Sequence, residues 1–249
     1  MLRNLTLAVI LLAAAFLVGC DSAVTPTERV EGYYLSGAVI KNMDRDELDV
    51  SAVWQRDDTL LPLAILNIND DTLTYAGGKF SLSYESALSL SIGDYYLKLA
   101  DSETYVDSVA FKIPSDFIIN SKVPADTMPY RSGMVARIEW STPTNVDGYA
   151  YAVVKRNLAY QDTGYAAFVT TELTSTAISV DAFRDAYDNL DTGWYYVYVY
   201  GWAGSPDPGE ALPTKFPEGL TDNIDRPELT GRFGSVVVTR HDSFHVVTY

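Results

Sequence analysis

Beyond about residue 31, apolar and polar side chains alternate in short runs. "LDVSAVWQRDD" puts Val50, Ala52 and Trp54 on one face, and "MVARIEWSTP" does the same with Ala136, Ile138 and Trp140. Alternation with a period of two is the pattern of a strand with one buried face. Turn clusters such as "NMDRDE", "NDD" and "AGG" separate the runs at a spacing of about ten residues, which predicts stacked antiparallel sheets rather than alternating strands and helices. In the first half the pattern predicts strands near 33–41, 48–56, 60–68, 72–76, 79–84, 94–101 and 105–113.

The chain also repeats itself. "LSIGDYYLKLA" (Leu90 to Ala100) aligns with "LDTGWYYVYVY" (Leu190 to Tyr200) at an offset of one hundred residues, each with Leu, then Gly, then Tyr-Tyr. Two copies of one strand order is the economical reading. The L-x-x-G-x-Y pattern resembles the turn into strand F of immunoglobulin-like and fibronectin type III-like sandwiches, in which a Tyr at the corner bonds back to the backbone. "IEWSTPTNVDGYAYAVVKRN" similarly resembles strand B, the following loop and strand C of a fibronectin type III-like module. That resemblance implies Trp140 in the core on strand B, with Tyr149 or Tyr151 on strand C. The expectation is an all-β protein of two tandem sandwiches, an immunoglobulin-like one over 32–115 and a fibronectin type III-like one over 116–249. They join at "IPSDF", where Pro114 ends the preceding pairing. In the second, "SVDAFRDAYDNLDTG" predicts a short helix capped by Asp181, with Phe183, Ala186, Tyr187 and Leu190 at helical spacing. Residues 204–235 carry five prolines in a long insertion, a length typical of functional loops or covers. A final hairpin follows.

The first residues are different in kind. "MLRN" is followed by fourteen mainly apolar residues, Leu5 to Val18, and then "GC". The run is too short to span a bilayer, which takes about 20 residues, and has the layout of a secretory signal. "LVGC", Leu17 to Cys20, resembles the lipobox of bacterial lipoproteins, in which cleavage precedes a cysteine that is then lipidated. Cys20 is the one cysteine of the chain. The resemblance implies a signal peptide at 1–19, lipidated Cys20, a polar tether to residue 31, and a protein held to a membrane of the bacterial cell envelope. The whole arrangement, with "IPSDFIIN" at the join and "RFGSVVVT" near the end, resembles tandem-sandwich envelope lipoproteins.

Composition narrows the chemistry. Removing the signal deletes Arg3 and no acid, taking the net charge from −15 to −16. So acidic a surface repels nucleic acid and anionic lipid heads, and favours cations, basic proteins or neutral glycans. With Cys20 given to the anchor, no cysteine is left for disulfides, thiolate metal sites or a thiol nucleophile. His241 and His245 stand in "HDSFH", a spacing that aligns two ligands on a helix but not across a hairpin turn, so no metal is assigned to them. Acid-rich turns at Asp44, Asp46, Glu47 and Asp49, at Asp57 and Asp58, and at Asp70 and Asp71 offer the oxygen ligands Ca²⁺ takes. None has the glycine and distal glutamate of an EF-hand, so solvated turns are the better reading and no cofactor is expected. The chain lacks G-x-S-x-G, a P-loop and H-E-x-x-H, which points away from an enzyme. A carboxylate hydrolase would need a cleft with two acids about 5 to 9.5 Å apart.

One stretch stands out as a candidate surface. In "LSIGDYYLKLA", Lys98 shares parity with Tyr96 and Ala100, so Tyr95, Leu97 and Leu99 face inward. Carried across the repeat, Tyr195, Val197, Val199 and Gly201 belong to the core, leaving Tyr196, Tyr198, Tyr200 and Trp202 on the outer face. Four aromatics are too much apolar surface to leave bare. Either the protein covers them, with Leu212, Phe216 and Leu220 of the long insertion or by docking the first sandwich there, or a partner or sugar does. The sequence thus predicts a lipid-anchored, non-enzymatic envelope protein serving as a protein-interaction, scaffolding or adhesion module. The alternative is a glycan-binding lipoprotein that uses the aromatic stripe. Cys20→Ser should abolish acylation and move the protein from the membrane to the soluble fraction; partition of both forms between detergent and aqueous phases measures it.

Overall fold

In the computed structural model, residues 32–248 are described apart from 103–105, 131–134, 162, 171–172 and 186; the signal segment, Cys20 and the tether to residue 31 lie outside the described residues. The alternating runs of the first half form β1 (Tyr33–Asn42), β2 (Glu47–Arg56), β3 (Thr59–Leu60), β4 (Ile65–Ile68), β5 (Asp71–Thr72), β6 (Thr74–Ala76), β7 (Lys79–Tyr84), β8 (Gly93–Ala100) and β9 (Val106–Ile113). One layer is β1-β2-β7-β6, and the other is β5-β4-β8-β9. Leu48, Val50, Ala52 and Trp54 of β2 face Leu66 and Ile68 of β4 and Leu97 and Leu99 of β8 in the fully buried core between them. The run expected as one strand over 60–68 is interrupted after Leu60, since Pro62 has no N–H to donate to a ladder.

The second half adds β10 (Ile119–Val123), β11 (Thr127–Tyr130), β12 (Ala136–Trp140), β13 (Gly148–Lys155), β14 (Tyr165–Phe168), β15 (Ser175–Ile178), β16 (Gly193–Gly204), β17 (Ile224–Asp225), β18 (Leu229–Val238) and β19 (Asp242–Thr248). β10-β12-β15 make one layer; β13 and β16, flanked by β14 on one side and by β19 and β11 on the other, make the facing layer. Trp140 on β12 meets Tyr149 on β13 edge to face, with centroids 5.2 Å apart. The fold is all-β and built of sandwiches, with helical structure among the described residues limited to two 3-10 turns, Arg156–Leu158 and Val180–Phe183.

The hundred-residue repeat survives as geometry. The Tyr95 hydroxyl donates to the carbonyl of Ser91 at 3.1 Å, and Tyr195 donates to that of Asp191 at 2.8 Å. Each ring reaches back four residues and pins the turn that precedes its strand.

Two expectations for the second half are corrected. The helix over 181–190 is only the 3-10 turn, and its cap is Ser179, whose Oγ accepts from the Asp181 N–H. The Asp185 carboxylate takes the N–H groups of Tyr187 and Asn189, a local turn that competes with helix. The final hairpin is not formed either. β18 and β19 both run antiparallel to the same edge of β16, pairing Tyr200 with Val238 and then Val197 with Asp242, one residue out of register. Thr239 sits at the slip, its N–H donating to the Val199 carbonyl and its Oγ1 accepting from the Val199 N–H. "TRHD" is therefore a bulge in one long strand.

β18 also joins the two halves. It pairs with β1 in parallel over ten residues, from Tyr33 opposite Leu229 to Asn42 opposite Val238, so the β1 layer and the β16 layer form a single twelve-stranded sheet. Residues 32–249 cluster accordingly as one unit. At the junction, buried Lys41 pairs with Asp116 at 2.6 Å. Gly231 is essential to the seam: its φ is +130°, and a Cβ there would lie 2.0 Å from the Leu35 carbonyl oxygen. Gly231→Ala should cost about 2–4 kcal/mol through strain and loss of pairing, read as a drop in the midpoint of denaturant unfolding.

Candidate functional site

The aromatic run on β16 divides by parity as the sequence predicts. Tyr195, Val197 and Val199 enter the sandwich core, while Tyr196, Tyr198, Tyr200 and Trp202 lie on the opposite face. That face is not a platform, however. Tyr198 and Tyr200 have no exposed surface, so as candidate ligand residues they are withdrawn from solvent by the protein itself. They belong to a second apolar cluster with Ala38 and Ile40 of β1, Ala150, Ala152 and Val154 of β13, and Val236 and Val238 of β18.

Two segments supply the cover. From the long insertion, Leu212 is fully buried, Phe216 stacks on Tyr200 at 6.2 Å, and the Thr214 backbone exchanges hydrogen bonds with the Tyr200 hydroxyl. The turn after β13 adds Leu158 and Tyr160, and the Tyr160 N–H donates to the Pro213 carbonyl at 2.7 Å, tying the two covers together.

Asp44 fastens this cover to the first half of the chain. Its Oδ2 accepts from the hydroxyls of Tyr160 and Tyr198, and its Oδ1 meets His241 Nδ1 at 2.6 Å. Arg45 lies over the Tyr160 ring, 3.4 Å from its centroid. Burial raises the pKa of Tyr160, Tyr198 and Tyr200 above the usual 10.0, and the Asp44 charge raises the first two further. Other acids of the sequence clusters have separate partners: Asp46 accepts from Ser86, Asp49 from Ser83, and Asp71 from Tyr84. Among the described residues no group of three or more His, Cys, Asp or Glu is placed to hold a metal.

The two histidines do not converge. His241 lies against Tyr196 with centroids 3.9 Å apart, and His245 stacks on Trp194 at 4.7 Å with planes within 9°. Trp194 is the residue the sequence reading missed: it shares the parity of Tyr196 and is 45% exposed.

Trp202, the last of the four outer aromatics, opens onto a recess. A cavity of about 600 Å³ runs between the loop before β13, the end of β14 and the insertion, with Trp202 in its wall. Trp202 pairs in register with Gly148, where a Cβ would lie 2.6 Å from the indole ring. Glycine is what lets the ring occupy that position. Phe168 stands edge-on to Trp202 at 6.0 Å and to Phe216 at 5.6 Å. Asp147 holds the rim: its N–H donates to the Trp202 carbonyl and its Oδ2 accepts from Gly204 N–H at 2.7 Å. The Trp202 indole nitrogen is buried without a hydrogen-bond partner among the described residues. Among the described residues Asp147 is the one carboxylate in its lining.

No protein-family model matches this chain, and no curated protein matches it. Among solved structures it is similar to Bacteroides ovatus SGBP-B of a mixed-linkage glucan utilization locus, in complex with a mixed-linkage heptasaccharide, at 15% identity and a TM-score of 0.24 over 83% of this chain and 43% of that one. It is also similar to fibronectin(III)-like modules of Clostridium thermocellum CbhA, at 9% identity and a TM-score of 0.23 over 82% and 90% of the two chains. A Ca²⁺-stabilized adhesin of an Antarctic bacterium gives 12% identity and a TM-score of 0.23 over 88% and 49%. This chain thus spans less than half of the first and about half of the last. Scores this low transfer neither site nor ligand.

The buried tyrosines set an alkaline limit. Below pH 10 folded and unfolded chains both keep these hydroxyls protonated and their contribution to stability is complete; above it the unfolded chain ionises first and stability falls. The melting temperature should therefore drop as pH rises through 10, and tyrosinate absorbance from Tyr160, Tyr198 and Tyr200 should appear only with unfolding.

Proposed function

We propose that this protein is a lipid-anchored, non-enzymatic binding module of the bacterial cell envelope. The observation that carries the binding reading is the cleft at Trp202, an aromatic-walled recess formed by loops on a sheet that β1 and β18 lock together. Loops held by a rigid scaffold are where sandwich proteins place recognition, and the volume falls in the range of about 300–1,000 Å³ common for ligand sites. The anchor rests on Leu17–Cys20, and the non-enzymatic reading on the catalytic motifs missing from the sequence. The net charge supports partners other than nucleic acid.

Thr170 is exposed at the rim of the cleft, so Thr170→Trp should plug it without disturbing the core. Crosslinking in intact envelopes is expected to join the wild-type protein to a defined partner and to lose that adduct in Thr170→Trp. Identical adducts from both proteins would remove the cleft as the binding site.

A further inference from the structure

We infer that the open edge of β14 takes an extended segment of a partner protein as an added strand, an assignment that rests on the reading of this protein as a binding module and names the kind of partner. β14 pairs with β13 and with no other strand among the described residues, so it borders the twelve-stranded sheet. One bond fixes the direction of its backbone groups. The Val169 N–H donates to the Tyr149 carbonyl of β13, and in an antiparallel ladder alternate residues turn their N–H and C=O toward the same neighbour. Ala167 and Tyr165 therefore face β13, opposite Tyr151 and Val153, while Ala166 and Phe168 present both groups to the other side. Among the described residues neither of these has a hydrogen-bond partner on that side.

Such an edge is a template for a further strand, and proteins ordinarily guard it with charge, proline, a bulge or brevity. The other border strands are guarded. β3, β5 and β17 are two residues long and β6 three. β10 carries Lys122, a register shift between Ile119 and Ser121, and Pro124 just beyond its end, and β11 contains Pro129. In β9 the Ser108 carbonyl accepts from Arg226 and the Lys112 carbonyl from Ser235, and in β15 the Ala177 carbonyl accepts from Thr176 Oγ1. From Gly164 to Thr170, by contrast, "GYAAFVT" has neither charge nor proline. Charge also decides which strand is added: a second copy would bring together two chains of net charge −15, whereas a neutral or basic segment meets no such repulsion. Phe168 and Thr170, at the end of β14, also line the cleft. Edge and cleft thus form one continuous surface, the edge supplying main-chain bonds and the recess a place for a side chain.

The test pans random dodecapeptides displayed on phage against the acylated full chain in detergent micelles, then follows backbone amide exchange with synthetic copies of the enriched peptides. In the free protein the amides of Ala166 and Phe168 should exchange rapidly and those of Tyr165 and Ala167 slowly. A neutral or basic peptide should slow the first two at least about tenfold. Methylating the alternate peptide nitrogens that meet β14 should abolish this protection, and methylating the other set should leave it. Ala166→Pro removes a donor that β13 does not use, a change that edge strands tolerate, and should abolish the protection of Phe168. The methylated peptides act on the unmutated protein and decide the matter even where the variant folds poorly. Enrichment of no peptide or of acidic peptides alone, peptides that bind while both amides still exchange freely, or dimerisation of the chain that protects them without peptide would overturn the inference. A crosslinked adduct lost in Thr170→Trp without this protection would remove the added strand and keep the binding module; failure of both tests would remove both.

Discussion

The parallel ladder between β1 and β18 is the contact from which the other features descend. Ten consecutive pairings at about 4.8 Å between strands convert the edge of one sandwich into the interior of a larger sheet. A sheet edge left open would be a site for unwanted pairing; here the C-terminal part of the chain occupies it. The joined sheet has a broad outer face running from Ala38 and Ile40 through Val236 and Val238 to Tyr198 and Ala152. A face that apolar demands a cover, and the insertion and the turn after β13 are that cover. Because their tips arch over the sheet rather than into solvent, a recess remains where the cover stops, at Trp202.

The four outer aromatics of β16 consequently have four different neighbourhoods. Tyr196 is partly buried against an imidazole, Tyr198 hydrogen-bonds to Asp44, Tyr200 is sealed by Thr214 and Phe216, and Trp202 borders the open recess. Asp44 carries particular weight, since one carboxylate collects a histidine and two tyrosines from three separate segments. Charge-assisted bonds in a partly dry site are stronger than their surface counterparts, so this acid from a turn cluster serves as a rivet.

Much of this was legible in the sequence, and for identifiable reasons. Strands of the first half follow period two because each has one wet face, and the tyrosine corners announce themselves at an offset of one hundred residues. The parity of β16 transfers across the repeat because Lys98 marks the wet side of β8. What eluded the pattern is non-local. Period two reports which residues share a face, not what lies over it, so it does not separate Tyr198 and Tyr200, which are fully buried, from Trp202, which borders the recess beside the insertion. Trp194 shared that parity and was passed over. "TRHD" has the composition of a turn, and only the one-residue slip where β18 and β19 follow one another along the same edge of β16 makes it a bulge. Asp185 is equally compatible with a helix and with the local turn that it forms.

The seam between β1 and β18 also dictates an order of events. Residues 33–42 acquire their neighbour only when residues 229–238 are present, so the earliest strand of the described chain waits for nearly the last. Contacts of such sequence separation close slowly. For a chain delivered N-terminus first, the first sandwich spends the whole of that delivery with an open edge, and the assembly closes in one late step rather than domain by domain. Truncation near the C-terminus is accordingly felt at the opposite end of the sequence.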